Sequence, residues 1–272
     1  MPHAKINALD IYFEQHGESG DPLFLMHGYT GDITDWRHQI PEFSQTNRVL
    51  VIEHRGHGRS EAPEDRSVYT IEQMSLDAEA LADELGYQRY HLVGHSMGGA
   101  IAQEMALRSA GRLLSLTLHD TGHVFELSKI ELLAQFTALR HKIAEEQGMA
   151  AVAGMKLPVP RPPHMPEERQ EEERERLSRM SPHAFVGASL GLNAWQGTAE
   201  RLASIVPPTM VIYGDLDFYM LVESAKHMAA TIPNAVLEVV PQAGHSPQFE
   251  RPDLFNAALR RHLERSTSAS AK

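Results

Sequence analysis

The chain has 272 residues and no cysteine, with a formal net charge of −11. Its length suits one medium domain, or a core with a smaller insertion. The absence of cysteine excludes disulfides, thiolate metal sites and a cysteine nucleophile, and the acidic balance argues against nucleic acid and anionic membrane surfaces as partners. Met1-Pro2-His3-Ala4-Lys5 lacks the apolar core of a signal peptide. No apolar run approaches the roughly 20 residues needed to span a bilayer, so a cytoplasmic protein without membrane partners is expected.

In chain order, Ile6 to Leu9 and Ile11 to Gln15 read as two short strands around a turn. Leu23-Phe24-Leu25-Met26 is a continuous apolar run, the pattern of a strand buried on both faces of a parallel sheet. It ends at His27-Gly28-Tyr29-Thr30-Gly31-Asp32, where Gly28 lets backbone approach a ligand closely. Trp36 and Ile40 suit a short helix. Val49 to Ile52 is the next buried strand and runs into a Gly-rich loop containing His54 and His57. Those two histidines have no obvious further ligand beside them, so no metal site is expected. Thr70 and Gln73 have capping-box spacing. Ile71, Met74, Ala78, Leu81, Ala82 and Leu85 follow at helical spacing, and Gly86 ends the helix.

Leu92-Val93-Gly94-His95-Ser96-Met97-Gly98-Gly99-Ala100 reads as strand, sharp turn and helix start. Gly94 and Gly98 bracket Ser96 as G-x-S-x-G, which fits a serine thrust out of a strained turn. Ser96 then sits at a helix N-terminus, where the free N–H of Met97 can face a developing oxyanion. Leu114 to Leu118 is another strand, ending at His119-Asp120. Strand alternating with helix up to this point implies βαβ units and a mostly parallel sheet.

From Gly122 to Ser204 no strand-length apolar run occurs. Leu157 to Pro166 is proline-rich and reads as extended. Glu167 to Arg179 is a charge run whose i,i+4 pairs Glu172–Arg176 and Glu175–Arg179 suit a solvated helix face. Thr209 to Tyr213 and Leu237 to Val240 are the last two strands, followed respectively by Gly214-Asp215-Leu216-Asp217 and Gly244-His245-Ser246. A helix opens at Pro252, and residues 266–272 read as a frayed tail.

A serine hydroxyl needs a base that titrates near neutrality, and the base needs an orienting carboxylate. In open α/β folds such groups sit just after strands. Ser96, Asp217 and His245 meet these conditions in the order Ser, Asp, His. Asp215 and Asp120 are alternative acids.

The elbow sequence Gly-His-Ser-Met-Gly-Gly resembles the nucleophile elbow of the α/β-hydrolase superfamily. The resemblance implies an α/β-hydrolase fold: a mostly parallel central sheet flanked by helices, with residues 1–121 and 206–265 as core and residues 122–205 as a helical cap. It selects Asp217 through the family's Gly-x-x-Asp spacing and makes the N–H of Tyr29, with that of Met97, the oxyanion hole. Gly28, His95 and Trp195 are expected to border the substrate, and Phe136, Phe185 and Leu190 to shape the cap. The implied activity is cleavage of a small carboxylic ester or lactone through an acyl-enzyme, without a cofactor or metal. A carbon–carbon bond hydrolase, a cofactor-free perhydrolase and a ligand receptor on the same fold are the alternatives. Oligomeric state is not readable from the sequence.

Overall fold

The structure is a computed structural model that describes residues 2–125, 130–155 and 165–270. Its strands are β1 (His3–Ile6), β2 (Leu9–His16), β3 (Pro22–Met26), β4 (Arg48–Ile52), β5 (Tyr90–His95), β6 (Leu113–His119), β7 (Thr209–Gly214) and β8 (Val236–Val240). They form one sheet in the order β1-β2-β4-β3-β5-β6-β7-β8. The β1–β2 and β2–β4 pairs are antiparallel, and every pair from β4 to β8 is parallel.

The continuous apolar runs follow from a side-chain period of two in a sheet covered on both faces. Phe24 and Met26 of β3 point to one core with Leu50, Ile52 and Leu92. That side is covered by α2 (Ile71–Glu84) and α3 (Met97–Arg108). Leu23 and Leu25 point to the other core with Val49, Val51, Val93 and Trp36, closed by α10 (Pro252–Ser270) through Phe255 and Leu259. Each such large side chain, fully buried, contributes roughly 1.5–3 kcal/mol. The Thr70 hydroxyl accepts from the Gln73 N–H at 3.0 Å and starts α2. Beyond its end, Gly86 has φ +74°, as a helix C-terminal glycine should.

The first hairpin turns earlier than its apolar spacing suggests. Asn7 and Ala8 have φ of 49° and 69° and form the turn, so β2 begins at Leu9. Asparagine tolerates the left-handed conformation, and its amide is anchored to Asp77 at 2.8 Å. The expected frayed tail is also corrected over the described residues. The helix α10 continues through Ser270, and Ser266 is buried, its hydroxyl donating to the His262 carbonyl. Residues 271–272 lie outside the described residues.

Between β6 and β7 the described residues contain no strand. They form α4 (Glu131–Glu146), α5 (Met149–Ala153), α6 (Glu167–Arg179), α7 (Pro182–Ala194) and a short 3-10 helix (Ala199–Ser204). The proline-rich stretch read as extended lies outside the described residues, save Met165 and Pro166. This insert has its own apolar cluster of Ala144, Met149, Val152, Phe185 and Val186. Among the described residues no helix is long and apolar enough to cross a membrane.

The charge run on α6 is not simply a solvated face. Glu175–Arg179 forms at 3.7 Å in the open, but Arg176 turns inward instead of meeting Glu172. Its guanidinium lies 2.6 Å from Asp35 and 3.3 Å from Asp32, and Arg169 also grips Asp35. Asp35 is buried, and burial alone would raise its pKa; the two guanidiniums outweigh this and hold the carboxyl well below the usual carboxylate range. Replacing one member of a buried ion cluster strands the other charges, at a cost of about 3–5 kcal/mol. Asp35→Ala should therefore lower the unfolding free energy by roughly that amount, while Glu175→Ala, at an exposed pair, should change it by less than about 1 kcal/mol. Chemical denaturation of both variants checks this. Because the folded-state pKa is depressed, the contribution of Asp35 should be fully present above the pH at which an ordinary aspartate titrates. It should be lost progressively as pH falls from there through the depressed value.

Candidate active site

After β3 the chain moves to β4 on one side, whereas β5 pairs with β3 on the other. The loops following β3 and β5 therefore part at a topological switch point, where open α/β sheets bind ligands beyond their strand ends. The loop after β3 carries Gly28 and Tyr29, and the turn after β5 carries Ser96.

Ser96 joins β5 to α3 with φ 52° and ψ −115°. Such a backbone is strained for a residue with a Cβ, and it is held by bonds on both sides. The Ser96 N–H donates to the His119 carbonyl at 2.9 Å, and the Ser96 carbonyl accepts from the Thr121 hydroxyl at 2.7 Å. Gly98 must be glycine: a Cβ there would run into the Met26 and His27 carbonyls of β3 and its loop.

Three expected residues converge. The Ser96 hydroxyl is 3.0 Å from His245 Nε2, and His245 Nδ1 is 2.9 Å and 3.0 Å from the two Asp217 oxygens. Asp217 comes from the loop after β7 and also accepts from the Phe218 N–H at 2.7 Å. Asp215 points elsewhere and accepts from the Gln242 N–H at 2.6 Å, tying the β7 and β8 loops together. His245 follows β8 on a loop pinned by Glu250, whose carboxylate accepts from the Gly244 and Ser246 N–H groups at 2.8 Å and 3.0 Å. Glu250 was not singled out in the sequence, although Ser246 opening a helix at Pro247 with Glu250 one turn on is close to a capping-box signal.

The charges are arranged by burial. Burial disfavours an imidazolium at His245, but the adjacent Asp217 carboxylate outweighs it and raises the pKa above that of an ordinary histidine. For Asp217, burial works against ionisation, and His245 with its hydrogen bonds reverses the balance, lowering the pKa. Asp120, at the end of β6, accepts from the Gly214 N–H at 3.0 Å. Burial and the neighbouring Asp217 charge push its pKa well above the ordinary aspartate value, and its other oxygen lies 2.7 Å from His119 Nδ1. Asp120, Asp217 and His245 offer oxygen and nitrogen atoms all within 4.8 Å, the one such cluster found among the described residues. The Asp217 and His245 atoms already bond one another. His54 and His57 are buried around His27, with ring centroids at 4.6 Å and 5.1 Å from it.

Of the residues expected to border the substrate, Gly28 lies against Ser96 and His95: a Cβ on it would meet them at 3.1 Å and 3.0 Å. His95 faces inward, and its Nε2–H donates to the His245 carbonyl at 2.7 Å. It supports the His245 loop from below. Trp195 is a correction. It is buried, its Nε1–H donates to Glu104 at 2.9 Å, and its ring packs near Phe125, so it is a core residue under the insert. Leu190 is exposed on α7. Phe185 is buried and stacks on the Tyr29 ring at 5.6 Å, while the Tyr29 hydroxyl donates to the Phe185 carbonyl at 2.8 Å. The N–H groups of Tyr29 and Met97 have no acceptor among the described residues.

The chain matches the family model described as "alpha/beta hydrolase fold" over residues 21–252. It is 30% identical to the dihydrolipoyllysine-residue acetyltransferase component of an acetoin cleaving system from Pseudomonas putida, over 92% of this chain, and it spans 66% of that relative's length. Among solved structures it is similar to the enol-lactonase from Burkholderia xenovorans LB400, with a TM-score of 0.87 and 26% identity over 97% of this chain and 100% of that one. It is also similar to a thermophilic esterase from Thermogutta terrifontis, with a TM-score of 0.83 and 27% identity over 97% and 98% of the two chains. With a strained serine between β5 and α3, a histidine within hydrogen-bond reach of it, and a family match over residues 21–252, the chain belongs to the α/β-hydrolase family and is a hydrolase.

Proposed function

We propose that the chain cleaves a small carboxylic ester or lactone through an acyl-enzyme on Ser96. The observation that carries this reading is the unbroken hydrogen-bond chain Ser96–His245–Asp217 beside the two unbonded N–H groups of Tyr29 and Met97. In the first half-reaction the Ser96 oxygen bonds to the substrate carbonyl carbon as its proton passes to His245 Nε2. The carbonyl oxygen, now negative, accepts from Tyr29 and Met97 N–H groups. His245 returns its proton to the alcohol oxygen as the carbon–oxygen bond breaks. In the second half a water molecule loses its proton to His245 and attacks the acyl carbon, and Ser96 leaves with that proton. Asp217 holds the imidazole in the tautomer that accepts at Nε2 and stabilises its cation.

The insert is read as a cap over this site. Tyr29 supports the reading, because one residue both carries an oxyanion donor and anchors its ring and hydroxyl on α7. Substrate choice would then be set by α4 and α7 and the chemistry by the core.

Ser96→Ala should lower kcat by about 10³-fold or more with no change of fold, since the three residues act as a unit. An organophosphonate should label Ser96, which mass spectrometry of the labelled peptide reads directly. Labelling at another serine would remove the central assignment.

Asp217→Asn should cost on the order of 10⁴ in kcat, and Asp215→Asn, at an exposed loop bond, less than about tenfold. A reversed ranking would move the acid role away from Asp217. The pH profile follows from the raised His245 pKa. His245 must be neutral to accept the serine proton, so kcat/KM should rise with pH along a limb centred above about 6.5, the ordinary histidine value. In Asp217→Asn the limb should shift to lower pH, because the carboxylate that favours the imidazolium is gone. Rate measurements from pH 5 to 9 test both.

A further inference from the structure

Arg140 stands apart from the other arginines. Arg55 and Arg169 are buried and bond Asp77 and Asp35. The half-buried ones, Arg37, Arg48, Arg66, Arg112, Arg176, Arg251 and Arg260, each reach a carboxylate or a backbone carbonyl. Arg140, half-buried on α4, has no carboxylate, carbonyl or hydroxyl within hydrogen-bond reach among the described residues. Its neighbours are aromatic: the guanidinium carbon lies 4.9 Å from the Phe185 ring centroid and 5.8 Å from that of Phe136. Such contacts hold the cation over the ring faces and leave its N–H donors without an acceptor among the described residues. A partly desolvated cation without a counter-ion is costly, in a chain whose acidic residues outnumber its basic ones, 36 to 25.

Its position is informative. The Phe185 ring that Arg140 overlies is the ring on which Tyr29 stacks. Arg140 is therefore one ring away from Tyr29, the residue proposed to supply an oxyanion donor. The leaving oxygen of a substrate must face His245. Arg140 stands on the Tyr29 side, across the Phe185 ring. A planar guanidinium with free donors matches a carboxylate in a bidentate way.

We propose, resting on the ester or lactone hydrolase reading, that Arg140 binds a second, free carboxylate at the far end of the substrate's acyl part. The substrate class is then the half-ester or lactone of a dicarboxylic acid rather than a neutral fatty ester. The product released from Ser96 is a dicarboxylate, and a reaction that consumes dicarboxylic acids or their activated forms must follow.

The test compares mono-4-nitrophenyl esters of glutarate, adipate, pimelate and suberate with neutral 4-nitrophenyl esters of the same chain length. At the best-fitting length, kcat/KM should favour the carboxylate ester by more than about tenfold, since a well-placed charge-assisted pair is worth about 1.5–3 kcal/mol. Arg140→Met should collapse that ratio towards one, chiefly through KM. Arg140→Lys, which keeps the charge but not the fork, should retain part of it. A wild-type enzyme with no preference at any length overturns the proposal, as does a ratio that survives in Arg140→Met. If Arg140→Met melts much lower than wild type, Arg140→Lys carries the test, and an unchanged ratio in it is the overturning result.

Failure of the hydrolase reading looks different, because no ester of either series would turn over. Calorimetric titration with monomethyl adipate and monomethyl suberate then decides. Binding that weakens at least tenfold in Arg140→Met upholds the carboxylate site. Binding that is absent, or equal in both proteins, overturns it.

Discussion

Ser96 is held at φ 52° and ψ −115°, and the geometry of the site depends on keeping it there. A backbone of this kind costs of order 1–3 kcal/mol and persists only where its surroundings over-determine it. Two strand ends and a helix start do so here. The Met26 and His27 carbonyls at the end of β3 leave room only for a glycine at position 98. At the end of β6, His119 accepts the Ser96 N–H and Thr121 bonds the Ser96 carbonyl. The helix α3 must start at once, because Gly99 and Ala100 already donate to that same carbonyl. The serine side chain is thereby aimed out of the sheet by packing, with no side-chain bond needed to hold it until His245 arrives.

Below the serine the protein buries polar groups but keeps most of them neutral. Burial pushes His119 down to about 3 and His95 well below an ordinary histidine, so both are uncharged imidazoles. Each has a hydrogen-bond partner for Nε2: the Gln248 side-chain amide oxygen for His119 and the His245 backbone carbonyl for His95. Burial pushes the Asp120 carboxyl in the uncharged direction too, with the Asp217 charge beside it. Asp217 therefore supplies the negative charge nearest His245. In a medium of low effective dielectric an isolated opposite charge acts strongly on its partner. A second ionised carboxylate at position 120 would cost like-charge repulsion with Asp217 in that same medium. The layer of neutral groups thus makes the Asp217–His245 pair effective.

The sheet and the convergence of Ser96, Asp217 and His245 were legible in the sequence because both rest on local rules. Buried parallel strands are short apolar runs, and groups at the site must follow them directly. What was not legible rests on contacts between distant segments. Arg176 could as well have met Glu172 one turn away, and nothing local says that it reaches Asp35, 141 positions earlier in the chain. Trp195 resembles a pocket residue until Glu104 is found 2.9 Å from its indole nitrogen. The end of α10 was misjudged because serines and threonine suggest fraying, whereas a hydroxyl bonding back one turn, as Ser266 does to His262, keeps such residues helical. The hairpin was displaced because Asn7-Ala8 lacks the glycine that announces a tight turn.

The loop between β3 and the following 3-10 helix is where core and insert meet. Tyr29 bonds the Phe185 carbonyl on α7, and Asp32 and Asp35 take the arginines of α6. Gly31 between them is packed against the Asp35 carboxylate so closely that a Cβ would collide with it. A loop gripped at both ends by the insert cannot shift without disturbing α6 or α7, and the insert cannot lift without releasing the loop. The grip at the α6 end is electrostatic and buried. Its strength depends on water being excluded, and it weakens steeply once solvent enters. Loop and insert are therefore held together as one element. Under the proposed function the Tyr29 and Met97 N–H groups serve as the oxyanion donors. Substrate contacts made by the insert would therefore bear on the alignment of the oxyanion donors as well as on affinity, which joins substrate choice to the chemical step through the residues 29–35.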